Sequence, residues 1–148
     1  IDRYFRTFPA IREYIERTRA LARDQGYVET LLGRRRYFPQ LTTTSRVHQN
    51  VREQAYRMAI NAPIQGTAAD ILKVALYRLW QALRERGLRS RLIVQVHDEL
   101  VLEVPEEELD EVAALTVEIM EGAHELDAPL KVDVKVGRNW LDMDEYGG

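Results

Sequence analysis

The residues with the clearest chemical potential lie inside the stretch Arg91 to Val104, R-L-I-V-Q-V-H-D-E-L-V-L-E-V. Leu92, Val94 and Val96 are spaced to face one way, and Leu100, Leu102 and Val104 repeat that spacing, which predicts a β-hairpin with His97-Asp98-Glu99 at its tip. Carboxylates held there would offer hard oxygen ligands to a divalent cation. A tight hairpin turn favours Gly or Asn because its central residues need φ > 0, yet only His, Asp and Glu are available to turn. A local rule broken inside a consistent segment marks a candidate functional position. The alternative is a polar tip without chemistry, and on the triplet alone that alternative leads, because short motifs match by chance.

A second cluster is cationic. Arg34, Arg35 and Arg36 stand between Tyr27 and Tyr37 in Y-V-E-T-L-L-G-R-R-R-Y. Adjacent guanidiniums suit phosphate contact, with the rings available for stacking; a solvated basic loop fits the same residues equally well. They belong to an asymmetry that the net charge of −3 conceals. Residues 1–60 carry 12 basic against 6 acidic side chains, residues 61–92 carry 6 against 2, and residues 93–148 carry 3 against 16. A basic part joined to an acidic part suggests a polyanion-binding surface beside a solvated or metal-binding acidic region. For Glu106 to Glu111 the solvated reading suffices.

Composition bounds the rest. At 148 residues the chain has the size of one domain with one core. It contains no cysteine, which excludes a disulfide framework and a thiolate zinc site and fits a reducing compartment. No apolar run approaches the roughly 20 residues of a membrane span and no signal peptide precedes Ile1, so a soluble, intracellular protein without membrane contact is expected.

The elements that must position these residues are set by periodicity. Ile1 to Phe5 looks like the continuation of an element begun upstream. From Pro9, the recurrence of Ile11, Ile15, Thr18, Leu21 and Ala22 predicts an amphipathic helix that Gly26 stops. Tyr27 to Leu32 suits a short strand, Gly33 a turn, and Phe38 to Ser45 a connecting loop. A helix is predicted from Arg46 to Ile60, with Val47, Val51, Ala55, Met58 and Ala59 as its apolar stripe, ended by Asn61-Ala62-Pro63. Pro63 then opens a longer helix to about Arg86, whose first turns are kept small by Gly66, Ala68 and Ala69, so that another backbone can come close. After the hairpin, Pro105 starts a third long helix buried along Leu109, Val112, Ala113, Thr116, Val117 and Met120. Leu130 to Val136 alternates as a half-buried strand, Trp140 and Leu141 should pack back on the body, and Met143 to Gly148 should fray. The expected class is α+β: a small antiparallel sheet containing the 91–104 hairpin, covered by long helices, beside a helical lobe formed by residues 1–60.

Taken together, these motifs resemble family A DNA polymerases, the bacterial DNA polymerase I type. Gln95-Val96-His97-Asp98-Glu99 looks like that family's palm carboxylate motif. Arg57-Met58-Ala59 followed by N-A-P-I-Q-G-T-A-A-D at 61–70 resembles its primer-template contact segment. Gly26 to Tyr37 is similar to its stretch after the nucleotide-binding helix, and Val136-Gly137-Arg138-Asn139-Trp140 to its last strand. The resemblance runs over almost the whole chain in the family's order, and several long motifs in series are far more specific than an isolated H-D-E.

It implies a palm subdomain over 61–148 and the C-terminal part of the fingers over 1–60. It also implies template-directed nucleotidyl transfer from a deoxynucleoside triphosphate to a primer end, in the bacterial cytoplasm. Asp98 would be a magnesium-binding catalytic carboxylate and Glu99 a supporting neighbour. Arg57, Asn61 and Gln65 would contact primer-template DNA, and His97 would lie close to the primer terminus. Arg34, Arg36 and Tyr27 would lie along the nucleic-acid path or brace the fingers. Phosphoryl transfer of this kind uses two divalent ions about 4 Å apart. Asn and Gln can reach minor-groove acceptors presented by every base pair, which checks pair shape without reading sequence; the alternative for Asn61 and Gln65 is backbone capping around Pro63.

The departure from the family is an absence. The first palm motif, D-Y-S-Q-I-E-L-R, with its metal-binding aspartate, does not occur in the sequence, nor does the R-x-x-x-K-x-x-x-F-G-x-x-Y-G helix that holds the triphosphate. The chain is therefore expected to be the C-terminal part of a polymerase, needing the upstream part of the same enzyme as its partner and inactive alone. The competing expectations are a non-catalytic module or accessory subunit gripping duplex DNA through its basic half, and a metal-dependent nuclease, for which further carboxylates at a suggestive spacing are lacking.

Overall fold

The computed structural model describes residues 2–43 and 48–147. Arg46 and Val47, expected at the start of a helix, and Ser45 of the expected loop lie outside the described residues. The fold is α+β, with long helices and small antiparallel sheets. It divides into two compact units, Ile1–Asp70 and Ile71–Gly148.

In the first unit, α1 (Asp2–Thr7) precedes α2 (Pro9–Asp24), and Gly26, at φ 79°, turns the chain out of α2. Strands β1 (Tyr27–Glu29) and β2 (Arg35–Tyr37) then pair antiparallel, Tyr27 opposite Tyr37 and Glu29 opposite Arg35. The stretch from Phe38, expected as a loop, instead holds a short helix, α3 (Pro39–Thr42), because Phe38 and Leu41 drive it inward. They join Ala22 and Val28 against Ala55, Ala59 and Ala62 of helix α4 (Gln49–Glu85). Alanines at spacings of four and three line one helix face and let it approach closely. Phe38 is only 1% exposed, and full burial of such a ring contributes roughly 1.5–3 kcal/mol.

Pro63 does not end one helix and open another: it sits inside the single, 37-residue α4. A proline there has no N–H for the carbonyl of Ala59 and costs about 3 kcal/mol in an isolated helix. Burial of Ala59 and Ala62 before the proline and of Thr67 and Asp70 after it holds both turns helical, and the Tyr14 hydroxyl donates to the neighbouring Ile60 carbonyl at 2.7 Å. Residues 61–70, expected to belong with the C-terminal part of the chain, thus fold as part of the first unit.

In the second unit, β3 (Arg91–Val96) and β4 (Glu99–Glu103) form the expected hairpin. Leu92, Leu100, Leu102 and Val104 pack on Leu79, Leu83, Val112 and Leu115. The last two belong to α5 (Leu109–Glu121), which comes after a single 3₁₀ turn at Glu106–Glu108. Three expectations fail in this unit. Lys135–Val136 (β5) pairs with Asp144–Glu145 (β6) and not with the hairpin, so the described residues form three two-stranded sheets instead of one three-stranded sheet. Alternation tells which face of a strand is buried but not which edge will pair with it. Residues 144–146, expected to fray, are held by that pairing, by the Tyr146 N–H on the Val134 carbonyl at 2.8 Å, and by the Tyr146 hydroxyl on Asp110. Trp140 and Leu141 do not pack back; Leu141 is 91% exposed. The Asn139 side-chain oxygen accepts the N–H groups of Leu141 and Asp142 at 3.0 and 3.1 Å, so a local turn sets their direction.

Candidate active site: a carboxylate tip and a basic helix face

The hairpin tip has two residues between paired Val96 and Glu99, namely His97 and Asp98. His97 has φ 53° and is the single non-glycine residue with positive φ among the described residues. For a residue with a Cβ this region costs about 1–2 kcal/mol, an observed strain at the position the broken turn rule singled out. The Gln95 amide donates to the His97 carbonyl at 2.6 Å and braces the turn. His97, Asp98 and Glu99 all face outward.

One feature of the hairpin escapes period-two counting. Leu92 opposes Leu102, but Val94 opposes Val101, so Ile93 is an extra, bulged residue. Because directly opposed residues share a face, Leu92 and Gln95 lie on the side of Leu100 and Leu102, while Val94 and Val96 are turned to the other side. The expected alignment of Leu92, Val94 and Val96 is therefore broken, and Ile93 and Val94 are 53% and 38% exposed. Gln95 could have been noticed by sequence alone, as the one uncharged polar residue in an apolar run; the bulge could not.

The base of the hairpin is fixed by Glu108. Its carboxylate accepts the N–H groups of Arg89 (2.9 Å) and Ser90 (3.0 Å) and the Ser90 hydroxyl (2.6 Å). The Ser90 hydroxyl above all, then the Arg89 N–H, hold the Glu108 carboxyl below its usual range.

In the first unit, the continuity of α4 decides the geometry. Arg57, Asn61 and Gln65 are each four residues apart on one helix, and all three are exposed along one face. Successive members are roughly 6 Å apart along the axis. The Asn61 and Gln65 side chains make no hydrogen bond to another described residue, so the capping alternative does not apply.

The three arginines, alike in sequence, differ in space. Arg34 Nε donates to Asp70 Oδ1 at 2.7 Å and Arg34 Nη2 to the Gly66 carbonyl at 3.0 Å. Arg35 donates to Glu29 at 2.6 Å and lies over the Tyr27 ring; Glu29, then Tyr37, hold its guanidinium above the usual range. Tyr27 and Tyr37 pack on each other with centroids 5.6 Å apart. Arg36 rests over Phe38 and, among the described residues, is the one of the three without a carboxylate partner. Arg34, Arg36, Ala62, Gln65 and Gly66 line a cavity of about 160 Å³. The structure thus brings Arg34, Arg36 and Gln65 together, extends their surface along α4 to Asn61 and Arg57, and presents His97, Asp98 and Glu99 on the second unit's hairpin.

Asp98 and Glu99 are hard oxygen donors of the kind magnesium prefers. Their number does not complete a site: among the described residues no group of three or more His, Asp or Glu could hold a metal ion. No helix among them is long and apolar enough to cross a membrane.

Residues 1–142 match the family described as DNA polymerase family A. The thermostable DNA polymerase I of Thermus filiformis is 54% identical over 145 residues, covering 98% of this chain and 17% of that protein. DNA polymerase I of Bacillus caldotenax is 49% identical over 142 residues, covering 96% and 16%. The chain therefore spans about one sixth of the length of these relatives. Among solved structures, the POL domain of Pol1 from M. smegmatis, in complex with DNA primer-template and dNTP, is similar with a TM-score of 0.81 and 49% identity, over 86% of this chain and 22% of that one.

Proposed function

Because the chain belongs to DNA polymerase family A, we propose that it is the C-terminal portion of a DNA-directed DNA polymerase and works in template-directed nucleotidyl transfer. The observation that carries the reading is Asp98, an exposed carboxylate at a strained two-residue turn, on a hairpin whose other end is buried and bonded. Strain held at His97, next to an exposed acid, makes sense if the acid's direction matters more than local stability.

Asp98 would supply one carboxylate to a magnesium site and Glu99 a supporting one; the remaining protein ligand would come from the upstream part of the same polymerase, which would also hold the incoming triphosphate. Magnesium bound there would lower the cost of charge building up during phosphoryl transfer. Arg57, Asn61 and Gln65 would lie against primer-template DNA, the arginine on phosphate and the two amides on minor-groove acceptors common to all base pairs. Arg36 would neutralise a further phosphate, Tyr27 would support it through the β1–β2 pair, and His97 would stand beside the primer end. The complex of the M. smegmatis neighbour with primer-template and dNTP supports these partners for this chain.

Primer extension tests the reading. The chain alone should give no template-dependent incorporation; joined to the upstream portion of a family A polymerase it should restore synthesis, and Asp98→Ala should reduce that synthesis at least a thousandfold, on the scale of losing a central catalytic group. Robust synthesis by the chain alone, or full activity of the Asp98→Ala enzyme, would overturn it. The exposed row of Arg57, Asn61 and Gln65 along α4, with Arg36 beside it, also suits a second reading, a duplex-binding module without chemistry. Unchanged DNA affinity without synthesis in the joined protein would decide for that one.

A further inference from the structure

The hairpin β1–β2 is fastened to α4 by contacts that form one unit. Besides the two bonds from Arg34 to Asp70 and to the Gly66 carbonyl, the Leu31 N–H donates to the Thr67 hydroxyl at 3.0 Å, and within the hairpin the Arg34 N–H donates to the Thr30 hydroxyl at 3.0 Å. Thr67 and Asp70 are each only 8% exposed. A Cβ on Gly66 would fall 2.6 Å from Thr30 Cγ2, so the hairpin comes as near to the helix as a bare backbone permits. Gln65 is next to Gly66 in α4, and Arg36 is two residues beyond Arg34; both line the cavity beside the fastening.

We propose that Arg34, through Asp70, Thr67 and Gly66, is a positioning residue that fixes the spacing between Arg36 and Gln65, and that it makes no nucleic-acid contact of its own. The inference rests on the DNA-binding reading above and deepens it. A guanidinium whose Nε is held on a buried carboxylate and whose Nη2 is held on a helix carbonyl is oriented by the protein and has its charge offset by Asp70, whereas the neighbouring Arg36 has no such partner among the described residues. Gln65 and Arg36 sit on different elements, so their separation is only as definite as the fastening that joins hairpin to helix.

The test measures affinity of the chain for a short primer-template duplex by fluorescence anisotropy across a salt series. Arg36→Met should lower the slope of log affinity against log salt by about one, as expected for one lost phosphate contact. Arg34→Met should weaken binding roughly three- to tenfold with the slope unchanged, and that loss should vanish in a Gln65→Ala background, as coupling through Gln65 requires. The exchanged pair Arg34→Asp with Asp70→Arg should recover part of the affinity. If Arg34→Met does not fold, Asp70→Asn, which keeps an acceptor of the same shape, takes its place with the same expectations. A slope falling by one in the Arg34 variant would make it a direct contact, and an unchanged affinity or an additive loss with Gln65→Ala would remove the positioning role. Absence of binding by the unaltered chain overturns the DNA-binding reading itself and this inference with it.

Discussion

The tip of the β3–β4 hairpin and the fastening of β1–β2 to α4 are built on opposite principles. At the fastening, polar groups find partners within the chain: Arg34 with Asp70, Leu31 with Thr67, and a glycine where the backbones approach. At the tip, among the described residues, the side-chain hydrogen bond beside the acids goes to backbone, from Gln95 to the His97 carbonyl, and Asp98 and Glu99 face outward. The first arrangement determines a position and the second leaves side chains available. An arginine in a basic cluster is thus a poor guide to ligand contact until its donors have been traced. An acid on a strained turn is a better one, since strain without a stabilising partner needs some other reason to persist.

Substitutions that reverse these principles should have opposite signs. The largest change in stability is expected for Gly66→Val, which overpacks the fastening against Thr30 and should cost about 1–3 kcal/mol, read as a lower denaturant midpoint. A neutral result would mean that the hairpin slides away from α4 at little cost. At the tip, His97→Gly should stabilise the chain by about 1 kcal/mol, because glycine adopts φ 53° without the penalty, while the joined polymerase loses activity. A destabilised glycine variant would show that the imidazole, despite its exposure, holds the turn.

The smallest effect concerns the buried end of the same hairpin and appears only in acid. The Glu108 carboxyl is depressed below its ordinary value of 4.5 when folded. Its contribution is therefore present above pH 4.5 and is lost as pH falls through the lower folded value. Unfolding measured from pH 7 downward should show an acid limb that Glu108→Gln makes shallower. An unaltered limb would assign the acid sensitivity to other carboxylates.

Much of this was legible in the residues. The apolar runs at 91–104, the α2 stripe stopped by Gly26, and the α5 face through Val112 and Thr116 are local periodicities, and each appears in the structure. The candidate acids were legible for a local reason too, since the two-residue turn at His97-Asp98 violates a rule that the neighbouring residues obey.

Apart from Trp140 and Leu141, whose direction a local turn at Asn139 sets, the main misreadings involve contacts beyond the local pattern. Pro63 looks like a helix boundary until the burial of Ala59 and Ala62 before it and of Thr67 and Asp70 after it is known. The bulge at Ile93 leaves no mark on composition, because its cause is the register of the partner strand. Lys135–Val136 alternates as a strand should, but its pairing with Asp144–Glu145 is a competition among edges.

The sequence by itself determined the class of fold, the strand and helix periods, the family and the identity of the candidate residues, because each of these is encoded within a few turns of chain. Only the tertiary structure decided that α4 runs unbroken, so that Arg57, Asn61 and Gln65 share a face, and that of three adjacent arginines Arg34 binds Asp70 while Arg36 does not pair with a carboxylate among the described residues. Those outcomes depend on which distant groups come within hydrogen-bonding range, a property of packing that no local pattern carries.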